Sequence, residues 1–253
     1  MMNMAWFREY LDAHQPDGVW SLQADWAVRV CIRLYQQTGD EQYRAYVTAW
    51  ADSLMTADGC CPESGKALFF ALAETGEEKY REAIGGVMAR LGRTPSEAAL
   101  PAETLYAELP FRMAYEMKLG GMEKVGLCAG KFRQSFKALW DKESALISGG
   151  RYQTAITLLA LTDCIDLCAD QLYEHWRAMV DIYRVALKGL LAAETPDNPE
   201  TAGMLLTALH AGVRMNLIDP ERYLPMAAKR IAALKAAGAD KAAAVMEMEG
   251  GAL

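Results

Sequence analysis

Thr38-Gly39-Asp40-Glu41-Gln42-Tyr43, running on to Leu54, is the stretch whose pattern decides the fold. An apolar helix ends at Thr38, Gly39 turns the chain, and an acidic residue opens the next helix. Glycine is the residue type that most readily ends a helix in the left-handed conformation, and Asp is a preferred N-cap. Thr75-Gly76-Glu77-Glu78-Lys79-Tyr80, running on to Leu91, repeats the pattern. Ile218-Asp219-Pro220-Glu221-Arg222-Tyr223, running on to Leu234, repeats it in outline, with Pro220 at the first helical position. A turn-plus-helix unit that recurs implies repeated helical hairpins.

Working outward, helix signals predict helices near 4–14, 22–37, 41–57, 64–74, 77–91, 102–118, 122–139, 153–168, 171–192, 200–215, 220–236 and 239–248. Irregular stretches are expected near 15–21, 92–101, 144–152 and 193–199. The helices pair as six hairpins, with turns near 38–40, 75–77, 119–122, 168–171 and 216–220. Their spacing is uneven, 37 residues from Thr38 to Thr75 but 44 from Thr75 to Leu119. A tetratricopeptide array would repeat at about 34 residues. The expectation is therefore an all-α, closed (α/α)6 toroid of six helical hairpins over residues 1–253, a single domain; an open α-solenoid is the alternative.

The 253 residues are 52% hydrophobic, enough for a sizeable core, and carry a net charge of −7. That charge argues against nucleic acid as a partner, which demands a basic surface. No apolar run approaches about 18 residues, so no membrane span is expected. Met1 to His14 reads as an amphipathic helix without the basic start and apolar centre of a signal peptide, and a cytoplasmic location is expected. The six cysteines, Cys31, Cys60, Cys61, Cys128, Cys164 and Cys168, are expected to be reduced. Cys164 and Cys168 stand one helical turn apart, but nothing completes a metal site with them, so neither metal nor cofactor is expected. Phosphate loops, dinucleotide fingerprints, HExxH and GxSxG motifs are absent from the sequence.

The richest candidate segment is Leu100-Pro101-Ala102-Glu103-Thr104-Leu105-Tyr106-Ala107-Glu108-Leu109-Pro110-Phe111. Glu103, Tyr106, Ala107 and Pro110 share one helix face by their spacing. Glu103 stands in the first turn, where the helix dipole favours an anion and a cavity wall would favour a proton donor. Pro110 inside a helix predicts a kink. Asp25 and Trp26 near the start of one helix, Arg151, Tyr152 and Gln153 at another, and Glu200 at a third could join Glu103, because alternate helix starts in a toroid share a rim. Arg151 would pair with a substrate carboxylate. Trp20 and Trp26 are candidate platforms for sugar rings. Trp50, Trp140, Trp176 and His210 fit helix cores.

With these segments in view, the chain resembles the unsaturated uronyl hydrolases of glycoside hydrolase families 88 and 105, the second of which acts on unsaturated rhamnogalacturonan fragments. The resemblance rests on the two Thr-Gly-acid turns, on Gly65-Lys66-Ala67-Leu68, and on Glu103-Thr104-Leu105-Tyr106 with Pro110-Phe111. It rests also on Leu159-Ala160-Leu161-Thr162-Asp163 and on Gly212-Val213-Arg214-Met215-Asn216-Leu217-Ile218-Asp219. It implies hydration of the C4=C5 vinyl ether of an unsaturated uronic acid, a small acidic oligosaccharide as partner, and Glu103 in place of the family's acid/base Asp. The family's second Asp falls at Cys60-Cys61, with Glu63 beside it. The family's His-Gly-Trp segment, expected near Ile147-Ser148-Gly149-Gly150, is absent, and of its Arg-Gly-x-Gly-Trp segment Arg151 remains. Two other readings stay open: a relative without catalysis that binds a sugar or a protein, and a helical-repeat interaction protein.

Overall fold

In the computed structural model, residues 4–92, 95–168, 172–192, 198–239 and 245–246 are described. They fall into two compact units, the first built on residues up to Gly92 with 245–246, the second on residues from Pro95.

The first unit contains α1 (Met4–Ala13), α2 (Leu22–Thr38), α3 (Glu41–Thr56), a short 3-10 turn (Pro62–Ser64), α4 (Gly65–Thr75) and α5 (Glu78–Leu91). The two Thr-Gly-acid turns are built alike. Gly39 and Gly76 both sit at φ +68°. Their N–H groups return to Tyr35 O (2.8 Å) and Leu72 O (2.9 Å). Thr38 Oγ1 donates to Leu34 O at 2.7 Å and accepts from Asp40 N at 3.2 Å. Thr75 Oγ1 does the same with Ala71 O at 2.8 Å and Glu77 N at 3.2 Å. Each turn thus satisfies backbone groups that a helix end leaves open. Arg44 and Arg81 then close equivalent i,i+3 pairs with Glu41 and Glu78. Tyr43 and Tyr80 are fully buried one turn into α3 and α5. α4 packs on α2, α3 and α5 and is apolar on most sides, so it lies at the centre of this unit.

The second unit contains α6 (Ala102–Tyr115), which runs into a π-turn (Glu116–Gly120), then α7 (Val125–Leu139), α8 (Arg151–Cys168), α9 (Tyr173–Ala192), α10 (Pro199–Arg214) and α11 (Pro220–Ala236). Twelve residues of α8 are buried and twelve of α10, against two of α11, so α8 and α10 are core helices and α11 is peripheral. α8 packs on α6, α9 and α10. The third turn of the sequence pattern keeps its cap, Asp219 accepting from Glu221 N at 3.0 Å. Its left-handed residue is Asn216 (φ +55°) in place of glycine.

Two expectations are corrected. The 144–152 stretch is not wholly irregular: Trp140–Asp141 (β1) and Leu146–Ile147 (β2) form a small antiparallel ribbon. Asp141 organises its turn by accepting from Glu143 N and Ser144 Oγ, both at 2.9 Å. α8 begins at Arg151, two residues before the predicted start. α6 continues through Pro110 and runs into the π-turn. The predicted helix 239–248 lies largely outside the described residues, as do the turn near 168–171 and the irregular stretch 193–199 in large part. None of the six cysteines is in a disulfide, and His210 is buried, 3% exposed.

The ribbon sits directly on α9. A Cβ at Gly189 would stand 1.8 Å from the carbonyl oxygen of Ala145, and backbone cannot move aside as a side-chain tip can. Gly189→Ala is predicted to lower stability by roughly 1–3 kcal/mol or more. Gly85→Ala, on a face of α5 where a Cβ meets nothing within 4 Å, is predicted to raise it by about 0.5–1 kcal/mol. Denaturant midpoints of the two variants decide both. A pH dependence follows from the thiols. Burial pushes Cys61 and Cys168 up to about 11 and Cys128 up to about 12. An unfolded thiol ionises near 8.5, so above that pH the unfolded chain loses protons that the folded chain keeps. Unfolding free energy is predicted to be level below about pH 8 and to fall steadily toward pH 11. A midpoint that stays constant over that range contradicts the assignment.

Candidate functional site

In the second unit the starts of α6, α8 and α10 come together. The segment ahead of α6 is tied to α7 before it reaches the helix. Leu100 N donates to the fully buried Ser135 Oγ at 2.8 Å. Lys131 Nζ donates to Glu97 O (3.2 Å) and Ala98 O (3.1 Å), and Gln134 Nε2 to Glu97 O (2.8 Å). Pro101 then leads into α6, with its carbonyl accepting from Leu105 N at 2.9 Å. Glu103 stands exposed in the first turn, and Tyr106, Ala107 and Pro110 are half-buried along the same face.

α8 is seated by its own turn. Gly149 and Gly150 have φ of +93° and +92°. Buried Thr154 Oγ1 accepts from Ile147 N and donates to Gly150 O, both at 2.9 Å. Arg151 Nη1 donates to Leu190 O at 2.9 Å, which pins the helix start to α9. Gln153 Nε2 reaches across to Glu103 Oε1 at 2.5 Å. α10 begins at Pro199 under a cap in which Asn198 Oδ1 accepts from Thr201 N at 2.8 Å, and Glu200 is exposed in its first turn. The Tyr152 phenol lies within electrostatic reach of both carboxylates. Its pKa is raised, first by burial and then by the Glu200 and Glu103 charges. It therefore stays a neutral hydrogen-bond donor well into alkaline solution.

Of the residues singled out in the sequence, Glu103, Tyr152, Gln153 and Glu200 converge here. Tyr106 lines the same helix face. Arg151 belongs to the same helix start, with Nη1 engaged on Leu190 O.

Trp20, Asp25, Trp26 and Glu63 belong to the first unit. Asp25 is fully buried in the first turn of α2, behind the Ser21 cap (Ala24 N to Ser21 Oγ, 3.1 Å). It is ion-paired with Arg29 Nε at 2.5 Å and with Lys66 Nζ at 3.2 Å, from the first turn of α4. The Lys66 contact is an ion pair by distance, without good hydrogen-bond geometry at Asp25 Oδ1. Asp25 thus holds two cations of its own chain. Trp26 is buried, and the half-buried Trp20 stands edge-on to Trp50 with centroids 5.7 Å apart, so both indoles take part in packing. Glu63 is half-buried in the 3-10 turn, where it adds to the rise of the Cys61 thiol.

Sequence reasoning missed Arg29, Lys66, Lys131, Gln134 and Ser135. Arg29 was open to detection, since it stands four residues after Asp25 on one helix face. The others act on residues of distant elements or on backbone carbonyls, which leave no local signature. Among the described residues no group of three or more His, Cys, Asp or Glu could hold a metal ion, and no helix is long and apolar enough to cross a membrane.

No family model matches the sequence, and no curated protein does. Solved structures do. A glycoside hydrolase of family 105 from C. acetobutylicum superposes with a TM-score of 0.71 at 17% identity, over 91% of this chain and 81% of that one. A glycosyl hydrolase of family 88 from Bacteroides vulgatus gives 0.69 at 13% identity, over 90% and 82%. A family 76 α-1,6-mannanase from Salegentibacter sp. gives 0.63 at 13%, over 90% and 87%. At such identities the likeness is one of fold. This chain has the all-α fold of the family 105 and 88 structures, the helical-toroid class expected from the uneven spacing of its hairpins.

Breaking a buried ion pair from one side strands the other charge and typically costs about 3–5 kcal/mol, whereas an exposed pair is worth under about 1 kcal/mol. Asp25→Asn is therefore predicted to lower stability by roughly 3–5 kcal/mol. Arg8→Ala, which removes the exposed Arg8–Asp40 pair at 2.7 Å, is predicted to shift the urea midpoint far less than Asp25→Asn does. Urea melts of the two variants measure the contrast.

Proposed function

We propose that the protein is a carbohydrate-active hydrolase of the unsaturated uronyl type, with Glu103 as its proton donor. The observation that carries the reading is the convergence, on a fold shared with family 105 and 88 hydrolases, of Glu103, Gln153, Tyr152 and Glu200 at three adjacent helix starts. Fold alone would not select a chemistry, because the same architecture also serves a mannanase.

The substrate is an oligosaccharide ending in a 4,5-unsaturated uronic acid. Its C4=C5 bond is a vinyl ether through the ring oxygen. Glu103, protonated, delivers its proton to C4, and the C4=C5 π electrons form the new C–H bond. The cation left at C5 is shared with the ring oxygen. Water adds at C5 and passes a proton back to the Glu103 carboxylate, which resets the acid. The C5 hemiketal then opens to a ketone, and the C1–O bond to the neighbouring sugar is released as a hemiacetal collapses.

Neighbouring residues take supporting roles in this reading. Gln153 fixes the Glu103 carboxyl, which matters because misplacement by an ångström can cost about a hundredfold in rate. Tyr152 stays a neutral donor for a sugar oxygen. Glu200 provides a second acceptor for ring hydroxyls. Arg151 contributes positive charge for the uronate while Nη1 anchors α8.

The test is loss of the double-bond absorbance when the protein is mixed with a panel of lyase-generated oligosaccharides. Wild type is expected to remove it from at least one member. Glu103→Gln is expected to lower kcat by about 10²-fold or more with little change in KM, the pattern of an interaction made in the transition state. No loss with any member at high protein concentration would sink the reading.

A further inference from the structure

Lys131 is the unexpected group in the second unit. It lies on α7, only 8% exposed, and among the described residues its ammonium bonds to neutral acceptors: Glu97 O at 3.2 Å, Ala98 O at 3.1 Å and Gln134 Oε1 at 2.5 Å. An ammonium carries three N–H donors, and all three are used. Burying a charge without a counter-charge is costly, and a Met or Leu would pack beside α7 with less penalty. What the ammonium gains is the backbone of an irregular segment, whose carbonyls have no helical partners of their own.

Lys131, Gln134 and Ser135 share one face of α7 by their i, i+3, i+4 spacing. Together they hold Glu97 O twice, Ala98 O once and Leu100 N once. Three residues beyond Leu100 stands Glu103. Leu100 and Ala102 are themselves buried, 5% and 3% exposed, so little slack lies between the clamp and the first turn of α6.

We propose that Lys131 is a positioning residue that sets the first turn of α6, and with it the Glu103 carboxyl, relative to Gln153 and the start of α8. The role of Glu103 as proton donor is taken from the reading above. Lys131 touches no substrate. Its loss therefore affects the rate of proton delivery rather than the affinity for the sugar.

The experiment compares Lys131→Met with wild type and with Lys137→Met, an exposed lysine on the same helix. Two readouts are taken. In amide hydrogen exchange, Lys131→Met is expected to speed exchange at least about tenfold at Ala98, Leu100 and the first turn of α6, with α8 and α10 unchanged. In turnover, kcat is expected to fall about 10- to 100-fold with KM within about twofold, while Lys137→Met behaves as wild type and Lys131→Arg recovers part of the loss. Unchanged protection over 97–105 in Lys131→Met overturns the clamp. A rise in KM with kcat preserved overturns the positioning role. Absence of turnover in wild type overturns the reading of Glu103 instead, and the exchange result then decides the clamp by itself. Should Lys131→Met fail to fold, Ser135→Ala, which removes the acceptor of Leu100 N, gives the same two readouts.

Discussion

An irregular segment has to deliver the first turn of α6 to the side of the first turn of α8, and the chemistry argued for Glu103 depends on that constraint. Residues 95–101 make no helix of their own, so their carbonyls and amides must find partners elsewhere or face water. α7 supplies those partners with one polar face, while α8 is fixed independently through Thr154 and the Arg151 bond to α9. The Gln153–Glu103 hydrogen bond joins two helix starts that are each already anchored. Positioning of this kind is what a proton-transfer site requires, because orientation can account for several kcal/mol of barrier.

The first unit solves a different problem with a similar economy of residues. Asp25 is placed in the first turn of α2, where the helix dipole supports its charge, and it gathers Arg29 and Lys66 around it. Buried ion pairs of this sort add little net stability over a well-packed apolar core, yet they are expensive to break from one side. They specify which helix start meets which. The two Thr-Gly-acid turns do the corresponding work at the opposite helix ends, through short-range bonds that repeat almost atom for atom.

The legible parts of the sequence are those whose physics is local. Gly39 and Gly76 announce left-handed turns, Asp40 and Asp219 announce caps, and the buried Tyr43 and Tyr80 follow at a constant offset. Helix order, and from it the fold, could be read on that basis. The Trp140–Ile147 ribbon could not, because strands of two residues have no alternation to detect and the turn depends on Asp141 accepting from its own neighbours. For the candidate site, the helix starts carrying Glu103, Tyr152, Gln153 and Glu200 were legible as N-terminal polar residues. Their anchoring was not. Lys131 binds backbone carbonyls more than thirty positions away, and Lys66 meets Asp25 across forty-one, distances over which one sequence carries no pairing signal.

The fold is shared by sugar enzymes of several kinds, so the decisive question is which bond receives the proton. Turnover of an unsaturated uronide in D2O, followed by NMR of the released product, answers it. The account predicts one deuterium at C4 of the product derived from the unsaturated uronic acid, with the C4=C5 double bond gone. Release of the neighbouring sugar with that double bond intact and no deuterium at C4 would contradict it, since the proton would then have gone to the glycosidic oxygen.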